Sequence, residues 1–72
     1  MGWTYRVVRR QASGMESGSL LGIHEAFDDG GEPTDITTKP VAVVAETPEE
    51  LAQMLERMRA ALAKPELRFE DF

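Results

Sequence analysis

Apolar and polar residues alternate along two stretches in the first half of the chain, and this period of two is typical of half-buried β-strands. The two predicted strands cover residues 3–10 and 19–28. Each has one face of large apolar residues: Trp3, Tyr5 and Val7 in the first strand, and Leu21, Ile23 and Phe27 in the second. The sequence Asp28-Asp29-Gly30-Gly31 follows and favours a chain reversal. These stretches therefore predict two strands of one sheet.

A short apolar run and a capped helix come next. Residues 41–45 predict a third strand, antiparallel to the second. A helix is predicted over residues 48–64, because Thr47 is a good N-cap, Pro48 suits the first helical position and Glu50 completes a capping box. Pro65 ends the helix, since proline does not continue one easily.

The helix is amphipathic, with an apolar stripe at the spacing i, i+3, i+4, i+7 and i+11. The stripe consists of Leu51, Met54, Leu55, Met58 and Leu62. It predicts that the helix packs across one face of the sheet. Residues 65–72 alternate weakly and predict an extended C-terminal tail, either docked on the domain or frayed. The expected fold is a single α+β domain, residues 1–72, with a three-stranded antiparallel sheet in the order β-β-β-α.

The opposite face of the predicted sheet combines apolar residues with cationic and imidazole side chains. Its candidate binding residues are Arg6, Val8, Arg10, Leu20, His24 and Val44. An apolar patch rimmed by charges is typical of an interface. The leading functional prediction is therefore a non-enzymatic interaction module that forms a homodimer or binds a protein partner at the sheet. A C-terminal tail lying over this face would remove the need for a partner there.

The charge of the chain is uneven. The net charge of −5 argues against a general nucleic-acid binder, because Lys and Arg supply most of the non-specific affinity for phosphate. Residues 1–15 nevertheless contain Arg6, Arg9 and Arg10 and no acidic residue. This strip supports an alternative prediction, an RNA-binding or antitoxin-like module.

Candidate chemistry is sparse. The chain has no cysteine and one histidine, and adjacent residues His24 and Glu25 should point to opposite faces of a strand, which prevents them from acting as a dyad. The acidic residues of the turn after residue 28 do not follow the EF-hand spacing, and no phosphate-binding glycine loop occurs. We therefore predict no catalytic residue, no metal ligand and no cofactor, and an enzyme remains the least favoured hypothesis.

With no long apolar run and no signal-peptide pattern, the predicted location is the cytoplasm, away from membranes.

Several short segments together form a distinctive pattern: Trp3–Arg9, Ile23–Glu25, Lys39–Val41, Glu46–Leu51 and Leu62–Pro65. In these segments the chain resembles a family of short bacterial proteins of unknown function, and this resemblance implies a bacterial, cytoplasmic origin. The three predicted strands followed by a helix with the cap Thr47–Glu50 are also similar to the core of HicB-like antitoxins. That second resemblance implies a toxin as a possible partner.

Overall fold

The computed structural model describes residues 2–11 and 18–72. Its regular elements, in chain order, are the strands β1 (Gly2–Gln11), β2 (Ser19–Asp28) and β3 (Asp35–Ile36), the helix α1 (Pro48–Ala61), the strand β4 (Leu67–Arg68) and a 3-10 helix (Phe69–Asp71). The expected α+β class with one α-helix is confirmed. The expected loop between the first two strands falls largely outside the described residues.

The sheet has four strands in the order β3-β2-β1-β4. β1 and β2 form its long antiparallel centre, in register from Gly2 opposite Asp28 to Gln11 opposite Ser19. β3 adds to β2 in antiparallel direction, and β4 adds to β1 in parallel direction. The sheet is therefore mixed, and the expected three-stranded antiparallel sheet is wrong in this detail because the C-terminal tail contributes a strand of its own.

The strand predicted at residues 41–45 is not formed. The N–H of Val41 donates to the carbonyl of Ile23 at 2.8 Å, so the segment leaves the edge of β2 at its first residue. Val44 then lines a cleft with Tyr5 of β1 and with the first turn of α1. The few residues before the N-cap Thr47 have to cross from the edge of β2 towards β1. A segment that crosses a sheet cannot also pair along its edge, which explains why this apolar run has no ladder.

The start of α1 follows the local signals closely. The Thr47 side chain accepts a hydrogen bond from the Glu50 N–H at 3.1 Å, and Pro48 occupies the first turn. The helix ends at Ala61, three residues before the predicted end. Residues 62–64 donate instead to carbonyls three residues earlier, which tightens the chain into a final turn that is no longer α-helical.

Two small apolar layers lie on the two faces of the sheet. Val7, Met58 and Ala61 are buried on the side of α1, while Val8, Ala26 and Ile36 form a buried cluster on the other side, with Leu67 and Phe69 packed against it. The apolar stripe of α1 is only partly covered, since the side chains of Leu55 and Leu62 are 49% and 70% exposed. The helix packs chiefly on β1, so the side of β2 facing it has less cover than the sequence predicts.

None of the helices in the described residues has the length and apolar character needed to cross a membrane.

Candidate interaction surface

The face proposed from the sequence as a binding patch is largely covered by the C-terminal segment. β4 pairs with Val8 and Arg9 of β1, and the side chains of Leu67 and Phe69 lie over the buried cluster. As a result Val8 is fully buried, with 0% of its surface exposed. The tail docks on this face, which is one of the two alternatives left open by the sequence, and it removes much of the surface that suggested an interface there.

The three arginines of β1 all hold this segment or its surroundings. Arg6 donates from Nη2 to the carbonyl of Pro65 at 2.7 Å, and Arg9 forms a 2.6 Å ion pair with Glu66. The Arg10 guanidinium lies 4.1 Å from the ring centroid of Phe69, a cation–π geometry. The local excess of positive charge noted in the sequence therefore serves contacts within the chain.

Arg6 is unusual among these arginines because it is buried, with 8% of its surface exposed. Its Nε is also buried and has no hydrogen-bond partner among the described residues. A buried cation is costly unless it is paired and hydrogen-bonded. The hydrogen bond to the Pro65 carbonyl therefore offsets part of the cost of burying the Arg6 guanidinium. The same burial makes the side chain inaccessible to an external ligand.

His24 is buried and hydrogen-bonded within the chain. It is 1% exposed, and its Nδ1 lies 2.9 Å from the carbonyl oxygen of Thr37. Because a carbonyl oxygen only accepts, Nδ1 carries the proton and donates. The hydrogen bond connects the centre of β2 to the segment after β3. Glu25, the next residue, projects to the opposite face of the sheet, as the alternation predicts.

Val44 lies on the other side of the molecule from where the sequence places it. We expect it beside Arg6 and His24, but it lines a cleft of about 530 Å³ together with Tyr5, Glu50 and Met54 on the α1 side. The expectation assumes a strand at residues 41–45, and it fails with that strand. The side chain is 71% exposed and contributes to a separate surface.

Leu20 is the predicted site residue that lies on an open part of the sheet. It is 54% exposed, and its neighbour Leu21 is 55% exposed. Two consecutive residues of a strand point to opposite faces, so both faces of the sheet carry an exposed leucine at this place. The alternation of apolar residues predicts Leu21 on the core side of the strand, but Leu21 is exposed there because α1 packs chiefly on β1.

The main chain of β2 is also open at this point. Three alternate carbonyls of β2 accept hydrogen bonds from the segment outside it: Phe27 from Thr34 at 2.9 Å, Glu25 from Thr37 at 3.0 Å and Ile23 from Val41 at 2.8 Å. Leu21 is the next position of this series. Over residues 2–11 and 18–72, no main-chain group meets Leu21 along this edge. Among the described residues, the outer edge of β2 is therefore covered from Phe27 to Ile23 and open at Leu21.

A hollow lies on each side of the open edge. On the α1 side, Leu21, Ile23 and Leu62 line a hollow of about 110 Å³. On the other side, Leu20, Pro40 and His24 line one of about 270 Å³. Gly22 lines both, and a Cβ there would meet Pro40 atoms at 3.3 Å. We call Leu20, Leu21 and Gly22, with Leu62 and Pro40 beside them, the open edge.

The described residues form a small α+β domain with one α-helix, a four-stranded mixed sheet and an apolar open edge. No protein-family model, curated protein or solved structure matches the chain at a significant level.

The ion pair of the C-terminal segment gives a pH-dependent prediction. The hydrogen bond from Arg9 is the main reason that the pKa of Glu66 is lowered from its usual 4.5. A lowered carboxyl pKa stabilises the folded state above about pH 4.5, and the stabilisation is lost as the pH falls through the folded value. Both groups are exposed, so we expect a small effect on stability.

This prediction is measured by titrating the Glu66 side-chain carboxyl by NMR. In the wild type its midpoint should lie below 4.5, and in Arg9→Gln it should move upwards towards that value. Arg59→Gln, which removes an exposed arginine of α1, is the matched control and should leave the Glu66 midpoint in place. An unchanged Glu66 midpoint in Arg9→Gln would show that the ion pair does not form in solution.

Proposed function

We propose that the protein is a small non-enzymatic interaction module that associates with another polypeptide, either a second copy or a different protein, at the sheet through the open edge. The observation that carries the proposal is the coincidence of a main chain at Leu21 that is unpaired within the described part of the chain and exposed leucines on both faces of the same strand. An unpaired strand edge is a template for another strand, and flanking pockets give such pairing its side-chain specificity.

The absence of the usual protection supports this role. Natural edge strands are commonly blunted by charged residues, by proline or by bulges. The segment Ser19–Ile23 carries no charge and no proline, and β2 pairs with β1 in continuous register through it. The open part of this edge is short, but it is regular and apolar, and such an edge is a template for association unless it is covered.

The size of the exposed surface sets the expected strength. Fully burying a leucine contributes roughly 1.5–3 kcal/mol, so each half-exposed leucine of the open edge contributes about 1 kcal/mol when covered. A hydrogen bond of the main chain adds roughly 1 kcal/mol. Because association costs at least about 4 kcal/mol, a few such contacts on each partner give weak binding, and experiments need protein concentrations of micromolar and above.

RNA binding or antitoxin-like action through Arg6, Arg9 and Arg10 is the less favoured alternative. Each of these side chains already contacts Pro65, Glu66 or Phe69, and Arg6 is buried. Phosphate binding by all three would require them to release the C-terminal segment. A filter-binding assay with single-stranded RNA tests it, and salt-sensitive binding that is lost in Arg9→Gln/Arg10→Gln would favour this alternative instead.

The proposed function predicts association that depends on the open edge. The main test compares the wild type with Leu21→Pro, which removes the outward N–H of Leu21 while keeping the hydrogen bonds of β2 to β1, and with Leu21→Lys. Leu55→Lys is the matched control, because Leu55 is 49% exposed but lies on α1. Circular dichroism establishes that each variant is folded.

Two readouts are required: sedimentation of the purified protein for self-association, and affinity capture from bacterial extract for other partners. We expect at least one of them to show binding that both Leu21 variants lose and Leu55→Lys keeps. If the purified protein is monomeric and the captured proteins are the same for all variants, the proposed function is wrong.

A further inference from the structure

From the geometry of the open edge we infer that its occupant is a second copy of this chain, paired antiparallel through β2 with Leu21 opposite Leu21 at a two-fold axis. This inference rests on the proposed function, since it specifies the partner at the same surface. It predicts a continuous sheet of eight strands across the dimer, with the two copies joined at the open edges.

The backbone of the edge suits this register. Phe27, Glu25 and Ile23 show that odd-numbered residues of β2 direct their main-chain groups outward, so the N–H and C=O of Leu21 point to the same side. An antiparallel pair centred on Leu21 is then a hydrogen-bonded pair, in which each Leu21 donates to and accepts from the other. Leu21 therefore supplies the donor and the acceptor of the central hydrogen bonds in both copies.

The side chains of the edge are self-complementary in this register. Residues directly opposite each other in an antiparallel pair point to the same face, so Leu20 of one copy lies beside Gly22 of the other. Pro40 lies 3.3 Å from the place of a Cβ on Gly22, so Leu20 of the second copy would pack against Pro40 at the 270 Å³ hollow. On the α1 side, the two Leu21 side chains come together next to Leu62, which is 70% exposed.

The ends of the pairing segment are limited by the chain itself. Residues 34–41 occupy the edge from Phe27 to Ile23, so a partner strand has to stop there. β2 begins at Ser19, and Gly18 precedes it with a φ of +77°, a left-handed conformation that favours glycine and turns the chain. In this register Ser19 of one copy lies opposite Ile23 of the other, where residues 34–41 already cover the edge. The first residue of β2 is therefore close to the point at which a longer ladder would be blocked.

Charge also favours the antiparallel arrangement. The chain carries a net charge of −5, and Asp28, Asp29 and Glu32 follow the far end of β2. With a two-fold axis at Leu21, Asp28 lies seven residues from the axis, or about 24 Å at 3.4 Å per residue. The two acidic turns are then at opposite ends of the dimer, well beyond the screening length of about 8 Å in physiological salt. A parallel pairing would place them side by side.

The first test is sedimentation velocity of the wild type between 5 and 500 µM, concentrations chosen at roughly the range that weak edge pairing requires. We expect the mass to rise from 8.0 kDa towards about twice that value, and Leu21→Pro and Leu21→Lys to remain monomeric. Leu55→Lys should dimerise like the wild type. A wild type that is monomeric throughout overturns the inference, while capture of another protein that depends on Leu21 would leave the proposed function standing.

The second test fixes the register. The chain has no cysteine, so a single one can be introduced without competing thiols. Opposing residues of a hydrogen-bonded antiparallel pair have Cα atoms about 5.5 Å apart, within the range of a disulfide. We expect Leu21→Cys to form a disulfide-linked dimer rapidly on mild oxidation and Leu55→Cys to do so only slowly. A dimer that persists in Leu21→Pro and does not crosslink through Leu21→Cys uses another surface, and that result also overturns the inference.

Discussion

Deletion of residues 66–72 is expected to unfold the domain or to lower its melting temperature by more than about 15 °C. The segment supplies β4 and the side chains of Leu67 and Phe69, which cover the fully buried Val8. Loss of these contacts costs on the order of 4 kcal/mol. A chain of 72 residues has a total stability of about 4–11 kcal/mol, so the deletion removes a large part of it.

The melting temperature is measured by thermal unfolding monitored by circular dichroism, and two control variants accompany the deletion. Removing Phe72 alone should change the melting temperature by only a few degrees, since its side chain is 43% exposed. Phe69→Ala should fall between the two, because it removes the ring under Arg10 but keeps β4. A protein that melts normally without residues 66–72 would show that the C-terminal segment is not part of the folded core, and the face around Val8 would then be an accessible surface.

Replacement of His24 by alanine is expected to lower the free energy of unfolding by about 3 kcal/mol. His24 is among the largest fully buried side chains in the described part of the chain, so its removal leaves a cavity. The carbonyl of Thr37 also loses its hydrogen bond from Nδ1. The measurement is the midpoint of urea unfolding monitored by circular dichroism, with the slope of the transition compared between variants.

The variants His24→Asn and His24→Gln separate the contribution of the hydrogen bond to Thr37 from the contribution of the buried side-chain volume. The amide nitrogen of asparagine reaches the place of Nδ1 and can donate to Thr37, whereas the amide of the larger glutamine lies near the place of Nε2. If the hydrogen bond dominates, His24→Asn is the more stable variant; if volume dominates, His24→Gln is. A midpoint for His24→Ala equal to that of the wild type would contradict the buried position of the side chain.

Several elements of the fold were predictable because they depend on neighbouring residues. The helix start at Thr47, Pro48 and Glu50 is a local signal and is found where expected. The alternation in β1 and β2 predicts both strands to within a residue or two. The C-terminal tail was expected to dock or to fray, and it docks as a strand and a 3-10 helix.

The candidate site was predicted less well because each of its residues has several possible environments. The pattern places Arg6, Val8 and His24 on one face of the sheet, and they do share it, but all three are buried. The sequence could not show that the tail lies over them. Leu20 is exposed at the open edge, while Val44 lies on the α1 side.

The sequence by itself determined the two long strands, the capped helix and the α+β class, since these follow from the period of apolar residues and from caps a few positions apart. Only the tertiary structure decided which surface stays open. The arginines of β1 meet residues more than fifty positions away, as in the pair of Arg9 and Glu66, and the segment after residue 41 leaves β2 to reach the helix start. Contacts between distant parts of the chain cover the charged face of the sheet and, within residues 2–11 and 18–72, leave the main chain at Leu21 unpaired.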